Sequence, residues 1–102
     1  MAVHVWRTFF SVRKNNAYDG LSRVQQGQYE ACERVYVTRF EQSDRIILET
    51  YYTSKWGDDR YVVEDYSART GTSTGYIWQI VKLANRYVAE EIGILDRRES
   101  GK

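Results

Sequence analysis

Between residues 73 and 86 the chain gathers side chains suited to reading a nucleic-acid surface: Ser73, Thr74, Gln79 and Asn85, with the cations Lys82 and Arg86. Their hydroxyls and carboxamides donate and accept hydrogen bonds, and a glutamine or asparagine can pair bidentately with an adenine edge in the major groove. Lys82 and Arg86 are one helical turn apart. A helix therefore carries both on one side, where they can contact phosphates without reading sequence. Trp78 lies among them: its indole either reaches a thymine methyl, a sugar or another protein from an exposed position, or packs against the preceding helix.

A helix that offers this face needs an apolar face opposite. Ile77, Ile80, Val81, Ala84 and Val88 supply it at the three-and-four spacing of one buried stripe. Gly71 stands just ahead, where a tight turn between helices takes a residue that tolerates positive φ, and Thr72 or Ser73 can cap the helix that follows. Before the turn, Asp58 and Asp59 follow Gly57 and mark a helix start, because carboxylates accept from its unpaired N–H groups and complement its dipole. Tyr61, Val62, Tyr66 and Ala68 give that shorter helix its apolar positions, and Ser67 is small enough for the place where two helices cross. Val62 to Val81 thus reads as a helix-turn-helix whose second helix fits a major groove.

The motif sits in a wider pattern. Asp44-Arg45-Ile46-Ile47-Leu48-Glu49-Thr50-Tyr51-Tyr52, then Val63-Glu64-Asp65-Tyr66-Ser67-Ala68-Arg69-Thr70-Gly71-Thr72-Ser73, then Ile77, Ala84-Asn85-Arg86 and Glu91-Ile92-Gly93-Ile94, resembles small bacteriophage regulators of the ArpU and RinA type. Those in turn are similar to region 4 of sigma-70 factors. The likeness covers roughly the last sixty residues, and the turn with the helix before it is its most specific part. Thr72 stands where the family usually has an apolar residue, and Ser67 where alanine is commonest. The resemblance implies a regulator of phage late or lysis genes that acts on promoter DNA alongside RNA polymerase, in the cytoplasm of the bacterial host. It implies a supporting helix across both members of the motif, and no catalysis. Carried onto this chain, the DNA-facing residues are Ser73, Thr74, Gly75, Trp78, Gln79 and Lys82, with Arg86 on the backbone.

Further upstream, Ser22-Arg23-Val24-Gln25 has the reciprocal capping pattern of a helix start. Leu21, Val24, Ala31, Cys32, Val35 and Tyr36 follow at helical spacing, although Gly27 costs about 1 kcal/mol inside a helix. The run Val35-Tyr36-Val37-Thr38 leaves the end of that element open to strand. Ser43-Asp44 caps the next helix, which carries Ile46, Ile47, Leu48, Tyr51 and Tyr52 and closes near Lys55-Trp56-Gly57, with Gly57 as the stop. At the start, Val5, Trp6, Phe9 and Phe10 are spaced as a helix, and Asn15-Asn16 and Asp19-Gly20 as the loop after it. Tyr36, Tyr51, Tyr52 and Tyr87 are expected to bury their rings and keep their hydroxyls wet. The predicted fold is all-α, a compact bundle of four to five helices with a C-terminal helix-turn-helix. It forms one domain over 1–102, with N-terminal helices over 1–40, the sigma-like part over 41–95 and a polar tail over 96–102.

Composition bounds the function. A chain of 102 residues, 42% hydrophobic and 15% aromatic, can build one core without disulfides or metal. The single cysteine, Cys32, reads as a buried apolar residue and fits a reducing cytoplasm. No stretch approaches the roughly twenty apolar residues of a membrane span, and the start has no signal pattern, so no membrane partner is expected. The one histidine, His4, lies close to the terminus, so no serine or cysteine has an evident base on the core, no metal-ligand spacing exists, and Asp58-Asp59, Glu64-Asp65 and Glu90-Glu91 read as caps and surface charge. Neither catalysis nor a metal or cofactor is expected.

Fifteen Lys and Arg against fourteen Asp and Glu give a net charge of +1, low for a domain that grips DNA alone. The first forty residues lean basic and residues 41–69 acidic. Within that acidic stretch, Asp58, Asp59, Glu64 and Asp65 form a solvated face with caps, or else Glu64 and Asp65 meet a basic surface on a protein such as polymerase. Modest charge means modest affinity, so tight binding to DNA calls for a partner or a homodimer. Two other classes suit the same residues: a helical module that binds a host protein, and DNA recognition of the small-terminase kind, which requires a ring.

Overall fold

Among the described residues the apolar runs form helices. The structure, a computed structural model, describes residues 2–54 and 59–100, with side chains over 4–54 and 60–93. Among the described residues five α-helices follow one another: α1 (Ala2–Asn15), α2 (Arg23–Arg39), α3 (Gln42–Thr53), α4 (Asp59–Thr70) and α5 (Thr74–Ser100). A single 3-10 turn, Tyr18–Gly20, lies in the α1–α2 connection. No strand occurs among the described residues, and the architecture is the all-α bundle expected.

Local chemistry explains most of the helix ends. α1 places Arg13 and Lys14 in its last turn, against the negative end of its dipole. It stops because Asn16 takes a left-handed conformation, φ 52°, which lets the Ala17 N–H reach back to the Val12 carbonyl at 3.1 Å. Ser22 and Gln25 cap α2 reciprocally, at 3.2 and 3.0 Å. The β-branched run 35–38 stays helical. Val35 and Tyr36 are buried there, so tertiary packing outweighs the strand preference of the run. Arg45 then donates from Nε to the Tyr36 carbonyl and from Nη2 to the Val37 carbonyl, satisfying acceptors that the end of α2 leaves open.

Several expected boundaries and core positions are corrected. α3 starts one residue before Ser43, with Glu41 as an N-cap that makes no side-chain bond, and Asp44 serves a different purpose described below. It ends at Thr53, with Ser54 extended, earlier than Lys55-Trp56-Gly57. The expected stop at Gly57 and cap at Asp58 lie outside the described residues, as does the side chain of Asp59. α5 runs through Asp96 to Ser100, so most of the expected tail is helix. Val24, 68% exposed, sits in the first turn of α2, and Ile46, 48% exposed, lies opposite the face formed by Ile47, Leu48, Tyr51 and Tyr52.

Those buried faces meet in one aromatic core. Trp6 is fully buried, stacks on Tyr52 at 5.9 Å and Phe10 at 6.0 Å, and meets the edge of Phe9 at 5.6 Å. Its indole Nε1 donates to the Ala84 carbonyl at 3.0 Å, tying α1 to the middle of α5. α2 runs antiparallel to α5: Phe40 packs on Tyr87, and Arg34, earlier in α2, pairs with Glu91, later in α5. The core cluster takes buried residues from all five helices. Cys32 is a buried free thiol within it, and burial pushes its pKa well up, so it stays protonated and unreactive.

Candidate nucleic-acid interface

α4 and α5 are joined by residues 71–73 alone, and the turn is built as its residue types demand. Gly71 has φ 77°, and its N–H reaches the Ser67 carbonyl at 2.9 Å, closing α4 with the left-handed motif that glycine adopts without steric cost. Ser73 accepts a bond from the Tyr76 N–H at 3.2 Å and caps α5. Of the two candidate caps, Ser73 is the one used. In α4 the buried residues are Val62 and Val63, with Tyr66 half-buried; Tyr61 and Ala68, expected on the apolar side, face outward. Val63 faces inward because it lies one turn from Tyr66 and Ser67, whereas Tyr61 lies half a turn off that line.

α3 crosses beneath the first turns of α5. Tyr76 donates from its hydroxyl to the Asp44 carboxylate at 2.6 Å, and the Trp78 ring meets Tyr51 edge-on at 6.0 Å. Tyr76 and Trp78 point to opposite sides of α5, since each residue advances about 100°. They contact positions near the two ends of α3, so the supporting helix spans α5 from side to side. The bond to Asp44 also holds the Tyr76 phenol protonated above its ordinary range.

The expected site residues occupy one exposed strip. Gly75, Trp78, Gln79, Lys82 and Arg86 fall within roughly 100° of arc on α5, with Ser73 and Thr74 at its N-terminal end, all exposed. The inward arc is the expected one: Ile77, Ile80, Val81, Ala84 and Val88 are all buried. Trp78 is 38% exposed, and its ring meets Tyr51 of α3, whereas the packing expected of it was on the helix just before α5. A Cβ added at Gly75 would meet nothing within 4 Å, so no internal contact requires a glycine there. Arg86 is exposed but ion-paired with Glu90 at 3.2 Å, one turn on.

Asn85 does not belong to the strip. It is half-buried and accepts a hydrogen bond from the Tyr52 hydroxyl, which is therefore dry, contrary to expectation. Burial raises the Tyr52 pKa, so the donor keeps its proton. The signal was present in the sequence: Asn85 follows Val81 by four and precedes Val88 by three, which places it beside the buried stripe. On α4, Asp65 is engaged by Arg69 at 2.9 Å, while Glu64 is exposed.

Two open grooves flank α3. One, of about 430 Å³, is lined by Phe10, Arg13, Lys14, Tyr36, Glu49 and Thr53. The other, of about 480 Å³, lies against α4 and is lined by Thr50, Thr53, Tyr61, Val62, Asp65 and Arg69 among others. Among the described residues no cluster of His, Cys, Asp and Glu has the makings of a metal site, and no helix is long and apolar enough to cross a membrane. Comparison with protein-family models, with curated proteins and with solved structures finds no match to this chain.

Proposed function

We propose that this chain is a helix-turn-helix protein that binds double-stranded DNA through α5 and regulates transcription in a bacterial cytoplasm. The observation that carries the proposal is the exposed strip on α5, in which hydrogen-bonding, cationic and aromatic side chains stand on a helix fixed by a capped three-residue turn and a crossing support. Ser73, Thr74 and Gln79 read base edges, Lys82 and Arg86 contact phosphates, and Trp78 covers a sugar or a thymine methyl from its seat on Tyr51. Gly75 lets the backbone of the first turn approach the duplex, which supplies the reason for a glycine that packing does not. The resemblance of the sequence to phage regulators of the ArpU and RinA type makes late or lysis genes the natural targets. The net charge of +1 assigns part of the affinity to a partner: exposed Glu64 on α4 would face a basic surface of RNA polymerase.

Selection of bound duplexes from a random-sequence pool tests the proposal. A recovered consensus bound with steep salt dependence supports it. Gln79→Ala should then relax discrimination at one position by about 1–3 kcal/mol. Lys82→Ala should weaken all duplexes alike and lower the salt slope by about one unit. Absence of duplex binding even at low salt, with or without polymerase, overturns it.

A further inference from the structure

We infer that Arg39, at the C-terminal end of α2 and outside the helix-turn-helix, is a phosphate-contacting residue that braces the DNA backbone along the α2 side of α5. The inference rests on the DNA-binding reading above. Arg39 is exposed, and its guanidinium carbon lies 5.1 Å from the centre of the Tyr87 ring. The next residue, buried Phe40, presses on the same ring at 5.9 Å. Tyr87 directly follows Arg86 on α5. The last turn of α2 therefore plants a cation on the flank of α5 at the level of Arg86 and about one turn beyond Lys82.

Its chemistry suits a phosphate better than a structural ion pair. A guanidinium held over a ring still has N–H donors to spare, and a phosphate accepts from two of them at once. The ring also holds the guanidinium in place, so less side-chain freedom is lost when a ligand arrives. Nearby carboxylates of α5 are already engaged, Glu90 by Arg86 at 3.2 Å and Glu91 by Arg34 at 3.6 Å. Asp44 accepts from Tyr76 in the first turn of α5. Tyr76 is three turns, about 16 Å, from Tyr87. A helix in the major groove has a phosphate strand along each side. Lys82 and Arg86 reach phosphates from the strip on α5, and Arg39 faces the strand beside α2.

Salt titrations of binding, read by fluorescence anisotropy on a selected duplex and a scrambled one, test the assignment in the full chain. Arg39→Gln should lower the slope of log affinity against log salt by about 0.9, the value of one phosphate. It should weaken both duplexes by the same factor and leave their ratio unchanged. Arg39→Lys should recover the slope but only part of the affinity, because it restores the charge without the guanidinium's paired donors. Arg23→Gln, at the far end of α2 and about 24 Å along its axis, is the control and should match the wild type. Circular dichroism and thermal unfolding verify that each variant is folded. If Lys82→Gln flattens the slope while Arg39→Gln behaves like Arg23→Gln, the inference is overturned and the DNA-binding reading stands. If the wild type itself shows no salt-dependent binding, both fall.

Discussion

Gly71 and Gly75, four residues apart, are glycines for different reasons, and substitution separates them. Gly71 holds φ 77° with nothing within 4 Å of an added Cβ, so Gly71→Ala introduces backbone strain and no clash. Its expected cost is about 1 kcal/mol of unfolding free energy, measured as a lower urea midpoint. Gly75 has helical backbone and the same open surroundings. Gly75→Ala should leave the fold intact or stabilise it by up to about 1 kcal/mol, by removing glycine's excess entropy in the unfolded chain. Under the proposed function it should also weaken DNA binding, and a variant that gains stability while binding as before would remove Gly75 from the interface. Tyr52 poses the same kind of question within the core. Tyr52→Phe keeps the stack on Trp6 but removes the donor to Asn85, and should cost about 1–2 kcal/mol because a half-buried carboxamide loses its partner.

Among the elements, α1 supports α5 although the sequence motif does not contain it. Trp6 packs on Tyr52 of α3 and bonds to the Ala84 carbonyl, behind the residues that face the proposed groove. Trp6→Ala should destabilise the fold by about 3–5 kcal/mol, and Trp6→Phe by less, because it keeps the ring stack and loses the bond across to α5. Far-UV circular dichroism through a urea titration would check both. The sequence displayed the helices where periodicity and capping agree: Ser22 with Gln25, the buried stripe Ile77 to Val88, and the turn at Gly71. It failed where a contact between distant residues overrides a local signal. Ser43-Asp44 has capping residue types, but α3 is positioned one residue earlier and the Asp44 carboxylate is bonded by Tyr76, a pairing between residues thirty-two apart that no local pattern displays. The strip on α5 was legible because helical spacing alone defines it. Arg39 was not, since its place beside α5 depends on how α2 packs.

At the scale of the whole molecule, one core cluster joins buried residues from α1 to α5, so unfolding should be a single cooperative transition that exposes Cys32 and Tyr52 together. Both groups have raised pKa values in the folded chain, above ordinary values of 9.0 for the thiol and 10.0 for the phenol, and desolvation is the largest cause for each. Their contribution to stability is thus fully present below the unfolded values. It declines as pH rises, because the unfolded chain releases protons that the folded chain retains. Stability should begin to fall above about pH 9, by up to about 1.4 kcal/mol per pH unit for each group. Cys32→Ala removes the first of the two. Its urea midpoint should start lower at neutral pH, because a buried side chain is trimmed, yet hold steady until about pH 10, where Tyr52 takes over. Urea midpoints of the wild type and Cys32→Ala, measured in steps from neutral pH upward, should therefore converge between pH 9 and 10. A constant gap across that range would mean that the Cys32 thiol is not held protonated by the core.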